Sequence, residues 1–210
     1  MEVIDPGQNE LALAAYYDQE GDERLTRPID PRREAARGEF LAALPARGRN
    51  SVLEIGSGPG RDAVAFLSAG HRYVAVDISA GHARLCRATG AAVALASARR
   101  LPFVTASFDA VWTMSTLMHI PNSAIKTALA EVSRVLVPGG FAAIGVWGGP
   151  DVEEHSSQNP GRGLPARLFS RRSDDRWQSL IATIGTIEAF ETWGDDDFFY
   201  QYSVVRRHLA

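Results

Sequence analysis

The chain has 210 residues, 45% of them hydrophobic and 22% charged, with a formal net charge of −3. That length suits one compact domain, and that balance of apolar and charged residues supports a buried core and excludes an intrinsically disordered chain. A slightly acidic chain, with a pI near 6.0, has no general attraction for a phosphate backbone, so nucleic acid is not an expected partner.

Up to about residue 30 the sequence is polar apart from one apolar cluster, Leu11 to Tyr17, which predicts a short amphipathic helix in an N-terminal arm broken at Gly21 and Asp22. Ala35, Ala36, Phe40, Leu41 and Leu44 recur at helical spacing, so a helix is expected from Pro31 to Leu44, stopped by Pro45. Short apolar runs then appear at Val52 to Ile55, Tyr73 to Val76, Ala92 to Leu95 and Ala110 to Trp112, with helical patterns after at least the first two. These runs are nearly continuous and do not alternate, as expected of parallel strands covered by helices on both faces.

A fifth strand is expected at Phe141 to Trp147, introduced by the Pro138-Gly139-Gly140 turn. Residues 148–163 are rich in Gly, Pro, Ser and acidic groups without periodicity, and read as a surface loop. Near the end, Ile187 to Trp193 and Phe198 to Arg206 flank Gly194 and three aspartates, the composition of a hairpin. The lone cysteine, Cys86, forms no internal disulfide and reads as a packed thiol in a reducing, cytoplasmic setting. The first eight residues show no basic segment followed by an apolar core, and no apolar run approaches about 18 residues, so neither export nor membrane spanning is expected.

The strongest chemical signal is the segment VLEIGSGPG, residues 52–60, an apolar strand that runs into Gly56, Gly58 and Gly60 ahead of a helical pattern. Without Cβ atoms these glycines let the chain turn sharply and bring backbone close to a ligand, with the end of the next helix facing it. Position 61 is Arg where a dinucleotide fingerprint places its third small residue, and Glu54 lies inside the strand end, where an acid suits a cationic ligand better than a pyrophosphate. The next strand ends at Asp77, well placed to accept hydrogen bonds from the two hydroxyls of an adenosine ribose.

VLEIGSGPG, VAVDIS, LPFVTASFDAVW and EVSRVLVPGG, in this order across roughly residues 50–147, resemble the class I S-adenosylmethionine-dependent methyltransferases. The resemblance implies an α/β, Rossmann-like, doubly wound sheet of seven strands, mostly parallel and closed by a C-terminal antiparallel hairpin. It implies one domain over residues 1–210, with an arm or lid in 1–30, a cofactor-binding core in 50–147 and an acceptor-side loop and hairpin in 148–210. Glu54, Gly56, Ser57, Gly58 and Gly60 match the methionine-binding motif, and Asp77 with Ile78 matches the ribose and adenine contacts. Where many relatives place an Asp-Ala pair beside the adenine amino group, this chain has Ser97 and Ala98, which keeps a hydrogen-bond acceptor and loses the charge. Thr113 to His119 match the wall between methyl donor and acceptor, so Thr113, Met114, Leu117 and His119 are expected there. Tyr17, in the pair Tyr16-Tyr17, resembles arm tyrosines that fold over the cofactor.

Asp109 reads as structural. His119 and His155 are the candidate general bases, with Glu153 and Glu154 beside the latter; adjacent residues on a loop are poor metal ligands, and no metal is expected. The short arm, the long post-strand loop and the lack of a recognition domain point to a small-molecule acceptor, in a monomer or homodimer. Three other readings use parts of the same pattern: a nicotinamide-dependent oxidoreductase, against which Arg61 counts; a methyltransferase for tRNA or protein; and a non-catalytic cofactor binder.

Overall fold

The computed structural model describes residues 4–46, 50–156, 164–195 and 197–209. Residues 1–3, the stretch 157–163 of the expected loop, and Asp196 among the hairpin aspartates lie outside the described residues. In chain order the N-terminal part holds α1 (Pro6–Glu20), α2 (Glu23–Thr26) and α3 (Pro31–Ala46). The central part holds β1 (Ser51–Ile55), α4 (Ala63–Ser68), β2 (Arg72–Asp77), α5 (Ala80–Arg87), β3 (Ala92–Leu95) and β4 (Phe108–Met114). After a 3-10 turn at Leu117–His119 come α6 (Ile125–Val135), β5 (Leu136–Gly148), β6 (Val152–Ser156), β7 (Arg167–Arg171), α7 (Asp174–Ile181), β8 (Gly185–Asp195) and β9 (Phe198–Arg207).

Seven strands form one sheet in the order β3-β2-β1-β4-β5-β9-β8. β1 pairs in parallel with β2 and β4, and β4 with β5, whereas β9 runs antiparallel to both β5 and β8. The expected doubly wound sheet closed by an antiparallel hairpin is therefore the observed one. Alternate residues feed two cores on its two faces: Leu53, Val111, Ala142 and Ile144 pack with α6 and α7, while Val52, Ala110, Trp112 and Ala143 pack with α3 and α4. This two-sided burial is the reason the strands read as unbroken apolar runs.

The strand order reverses direction between β1 and β4, and their C-terminal ends open into a crevice at this switch point, where open α/β sheets bind ligands. Asp109 ties the opposite end together, its carboxylate accepting from Ser51 N (3.0 Å) and Ser51 Oγ (2.7 Å). Two expectations change. The Pro138-Gly139-Gly140 turn is absorbed into β5, as an irregularity opposite Phe108 and Ala110. The stretch after Gly148 holds a strand, since β6 pairs antiparallel with β7 in a separate two-stranded ribbon. The side chains of β6 are mostly polar and none is fully buried, so no apolar pattern marks the strand in the sequence.

Gly60 illustrates how tightly the glycine loop packs against the end of α5. It holds φ at +88°, and a Cβ on it would stand 2.9 Å from Cys86 Cα. Gly60→Ala is expected to cost about 1–3 kcal/mol, seen as a lower urea midpoint at unchanged m; an unchanged midpoint contradicts this packing. Among the described residues, no helix is long and apolar enough to cross a membrane.

Candidate active site

The glycine loop after β1 folds over the end of β2. Gly56 N and Ser57 N both donate to the Val76 carbonyl, at 2.8 and 3.2 Å. At Gly56 a side chain would collide with Thr116, whose hydroxyl lies 2.0 Å from where a Cβ would be. Gly58 differs: its φ is +54° and nothing lies within 4 Å of its missing Cβ, so the bare backbone faces open space. Gly58 N donates to Asp77 Oδ2 (2.7 Å), and Ser79 N to Asp77 Oδ1 (2.9 Å). Each carboxylate oxygen thus takes one backbone donor and keeps a lone-pair direction for another. Burial, the largest influence, raises the Asp77 carboxyl above its usual range despite these bonds.

A cleft opens here, where the glycine loop meets the end of β2. Gly56, Gly58, Asp77, Ile78, Ala98 and Met114 line it, together with Ser115 and Thr116 beyond β4. Ser115 holds φ at +57°, an uncommon conformation for a residue with a side chain, and its N–H donates to the Gly145 carbonyl at 2.7 Å. Such local strain clusters at functional sites.

Helix α1 closes the cleft from above. It is longer than the Leu11–Tyr17 helix expected, because its buried stripe of Asn9, Leu13, Tyr16 and Glu20 includes two polar residues. Asn9 Nδ2 donates to the His119 carbonyl (2.8 Å), and Asp18 Oδ1 accepts from Ser79 Oγ (2.6 Å) and Gly81 N (2.8 Å). Glu10 Oε1 accepts from the Ser97 hydroxyl and from Arg99 Nε. Burial works against the Glu10 charge, but the bonds from Arg99 and Ser97 outweigh it and hold the carboxyl below its usual range. The carboxylate missing at position 97 is in this way present from the arm.

The part-buried Tyr17 pairs with the buried His119. His119 Nδ1 donates to the Leu168 carbonyl (2.7 Å), which leaves Nε2 as the acceptor for the Tyr17 hydroxyl (2.9 Å). Tyr17 Oη in turn accepts from Arg167 at 2.6 Å. Burial first, and the Arg167 charge second, push the His119 imidazole down to about 3. In the unfolded chain this imidazole takes a proton below about pH 6.5, while in the folded chain it stays neutral, so stability falls as pH drops through that window. Between pH 7.5 and 5, His119→Gln is expected to lose roughly 2 kcal/mol less stability than the wild type; equal losses in urea unfolding contradict this environment.

Several expected site residues lie elsewhere. Glu54 is buried behind the loop, accepting the Tyr73 hydroxyl, and does not line the cleft; burial, then the Asp62 charge, hold its carboxyl well above the usual range. Gly60 faces Cys86, and Ser57 faces a second cleft. Thr113 is fully buried on the face of β4 opposite Met114, and Leu117 is in the core beside α6, so neither is a wall residue. His155 lies exposed in β6, paired in register with Leu168, and lines neither cleft. Strand alternation explains Thr113: a neighbouring position in a motif says nothing about which face a side chain takes.

The second cleft adjoins the first, and the two share Gly56, Gly58, Met114, Ser115 and Arg24. Trp147, Trp193 and Tyr200 line its far side. None of these three was singled out by motif, since two belong to the hairpin and become neighbours only through sheet pairing.

Residues 52–140 match the profile of the methyltransferase domain family. That stretch is a methyltransferase domain, set in the Rossmann-like fold of class I S-adenosylmethionine-dependent methyltransferases. The chain is 31% identical to the 27-O-demethylrifamycin SV methyltransferase of Amycolatopsis mediterranei over 157 residues, 69% of this chain and 54% of that protein. It is 30% identical to the O-methyltransferase rstn1 of Aspergillus nomiae over 131 residues, 58% of this chain and 52% of that protein. The chain thus spans about half the length of these relatives. Its fold is shared with the Burkholderia thailandensis 1,6-didemethyltoxoflavin-N1-methyltransferase, solved with 1,6-didemethyltoxoflavin and S-adenosylhomocysteine bound. The TM-score is 0.75 at 24% identity, over 99% of this chain and 92% of that one.

Proposed function

We propose that this methyltransferase binds S-adenosylmethionine in the first cleft and transfers its methyl group to a small molecule held in the second. The observation that carries the reading is the junction of two clefts at one wall of Gly56, Gly58, Met114 and Ser115. The first cleft has the donor set an adenosine needs. Asp77 offers acceptors for the ribose hydroxyls, Ile78 and Ala98 offer apolar surface to the adenine, and Glu10 offers an acceptor for its amino group, while Ser97, expected in that role, does not line the cleft and instead donates to Glu10. The bare backbone at Gly58 leaves room for the methionine end.

When bound, the sulfonium supplies an activated methyl carbon, whose bond to sulfur breaks as a lone pair of the acceptor bonds to it. The protein's part is alignment of the two molecules and exclusion of water, which for an in-line displacement supplies much of the acceleration. Helix α1 supplies the cover. His119, with its basic nitrogen engaged by Tyr17, fixes that cover and the turn after β4; it acts as a positioning residue and not as a free base. The relative from Amycolatopsis mediterranei is named for a small-molecule acceptor, 27-O-demethylrifamycin SV, which supports the same acceptor class here.

The test is transfer from methyl-labelled S-adenosylmethionine into separated small-molecule, protein and tRNA fractions of a bacterial extract. Label in the small-molecule fraction supports the reading, and label confined to protein or tRNA overturns it.

A further inference from the structure

The second cleft carries an uneven charge. Arg24, Arg27, Arg33, Arg61 and Arg167 all line it, against Asp30 and Asp62. The carboxylates nearby are shared out. Asp62 takes both Arg33 (2.7 Å) and Arg37 (2.6 Å), and the buried Glu20 takes both Arg24 (3.3 Å) and Arg27 (2.8 Å). Asp30 accepts from the Arg32 backbone and from Trp193 Nε1. Arg61 has no carboxylate partner among the described residues, and its hydrogen bond goes to the Arg24 carbonyl at 3.3 Å. Burial first, then the Arg33 charge, lower the Arg61 guanidinium from its usual value. The charge of an anion in the cleft would offset both influences.

The opposite side is aromatic. The rings of Trp193 and Tyr200 lie 5.1 Å apart, and Trp147 meets Tyr200 edge-on at 5.2 Å. The Tyr200 hydroxyl is 3.1 Å from Ser115 Oγ, which brings this wall to the junction with the first cleft. Rings of this kind receive a planar ligand by stacking, and a forked guanidinium receives a carboxylate or similar oxyanion.

Resting on the function proposed above, we infer that the methyl acceptor is an anionic aromatic or heteroaromatic small molecule, its ring against Trp193 and Tyr200 and its negative group at Arg61. Arg24 lines both clefts and suits the carboxylate of the cofactor; Arg61 lines the second cleft alone. The pair of requirements selects against neutral aliphatic acceptors, which would leave the guanidinium unmatched and the rings half-covered.

The test is calorimetric titration of 2-naphthoate and its neutral counterpart 2-naphthamide into the full chain saturated with S-adenosylhomocysteine. The acid is expected to bind about tenfold tighter than the amide in the wild type. In Arg61→Met that preference is expected to vanish at unchanged melting temperature and with S-adenosylhomocysteine affinity within about twofold of wild type, while Trp193→Ala weakens both probes. Equal binding of acid and amide in the wild type, binding of neither, or a preference that survives in Arg61→Met would overturn the inference and leave the cofactor reading standing. A large loss of S-adenosylhomocysteine affinity in Arg61→Met would assign this charge to the cofactor and overturn it too. Failure of the wild type to bind S-adenosylhomocysteine at all would instead overturn the reading on which it rests.

Discussion

Asp77→Ala is expected to weaken S-adenosylmethionine binding by roughly 100-fold or more, because two kinds of contact go at once. The carboxylate is the charged acceptor at the cleft edge, and a hydrogen bond to a charged group contributes about 1.5–3 kcal/mol. It also holds Gly58 N and Ser79 N, so its loss frees the glycine loop and the start of α5. Asp77→Asn separates the two effects. The amide keeps one acceptor oxygen and loses the other, so an intermediate loss is expected, with calorimetric titration as the readout and the urea midpoint as the check on folding. An Asp77→Ala variant that binds as well as the wild type would show that the cofactor does not use this edge.

Removing the first 21 residues is expected to lower cofactor affinity by roughly 30-fold or more while leaving a cooperatively folded sheet. Neither of the two hydrophobic cores contains a residue of α1, so the fold does not depend on it. The cleft does. Asn9, Glu10, Leu13 and Tyr17 form its roof, and Asp18 fastens the roof to the first turn of α5 through Ser79 and Gly81. Circular dichroism melting reads the fold, and titration with S-adenosylhomocysteine reads the roof. Unchanged affinity in the shortened chain would mean that the arm is packing alone, and loss of the cooperative transition would mean that it belongs to the core.

Most of the scaffold was legible because it depends on local rules. Apolar strands buried on both faces cannot alternate, and a strand that ends in closely spaced glycines has few uses other than a tight turn against a ligand. Asp77, Gly56 and Gly58 were legible for the same reason, since each is fixed by the strand it terminates. What stayed hidden depends on contacts between distant segments. Glu10 reaches position 97 only because α1 packs over the cleft against α5 and β7, and its polar neighbours hid the buried stripe of that helix from a reading that counts apolar residues alone. Trp193 and Tyr200 face the cleft through a β8–β9 pairing register that the sequence does not spell out. His155 failed for the opposite reason: its loop position was inferred from composition, whereas five residues there pair as a strand and carry it away from the cleft.

The central claim is the identity of the cofactor, and isothermal titration of the wild-type chain with S-adenosylmethionine, S-adenosylhomocysteine and NADH tests it most directly. Binding of the first two with dissociation constants on the order of micromolar, and no measurable binding of NADH, is the predicted result. Preference for NADH, or no binding of either sulfur compound, would contradict the account and leave only the fold.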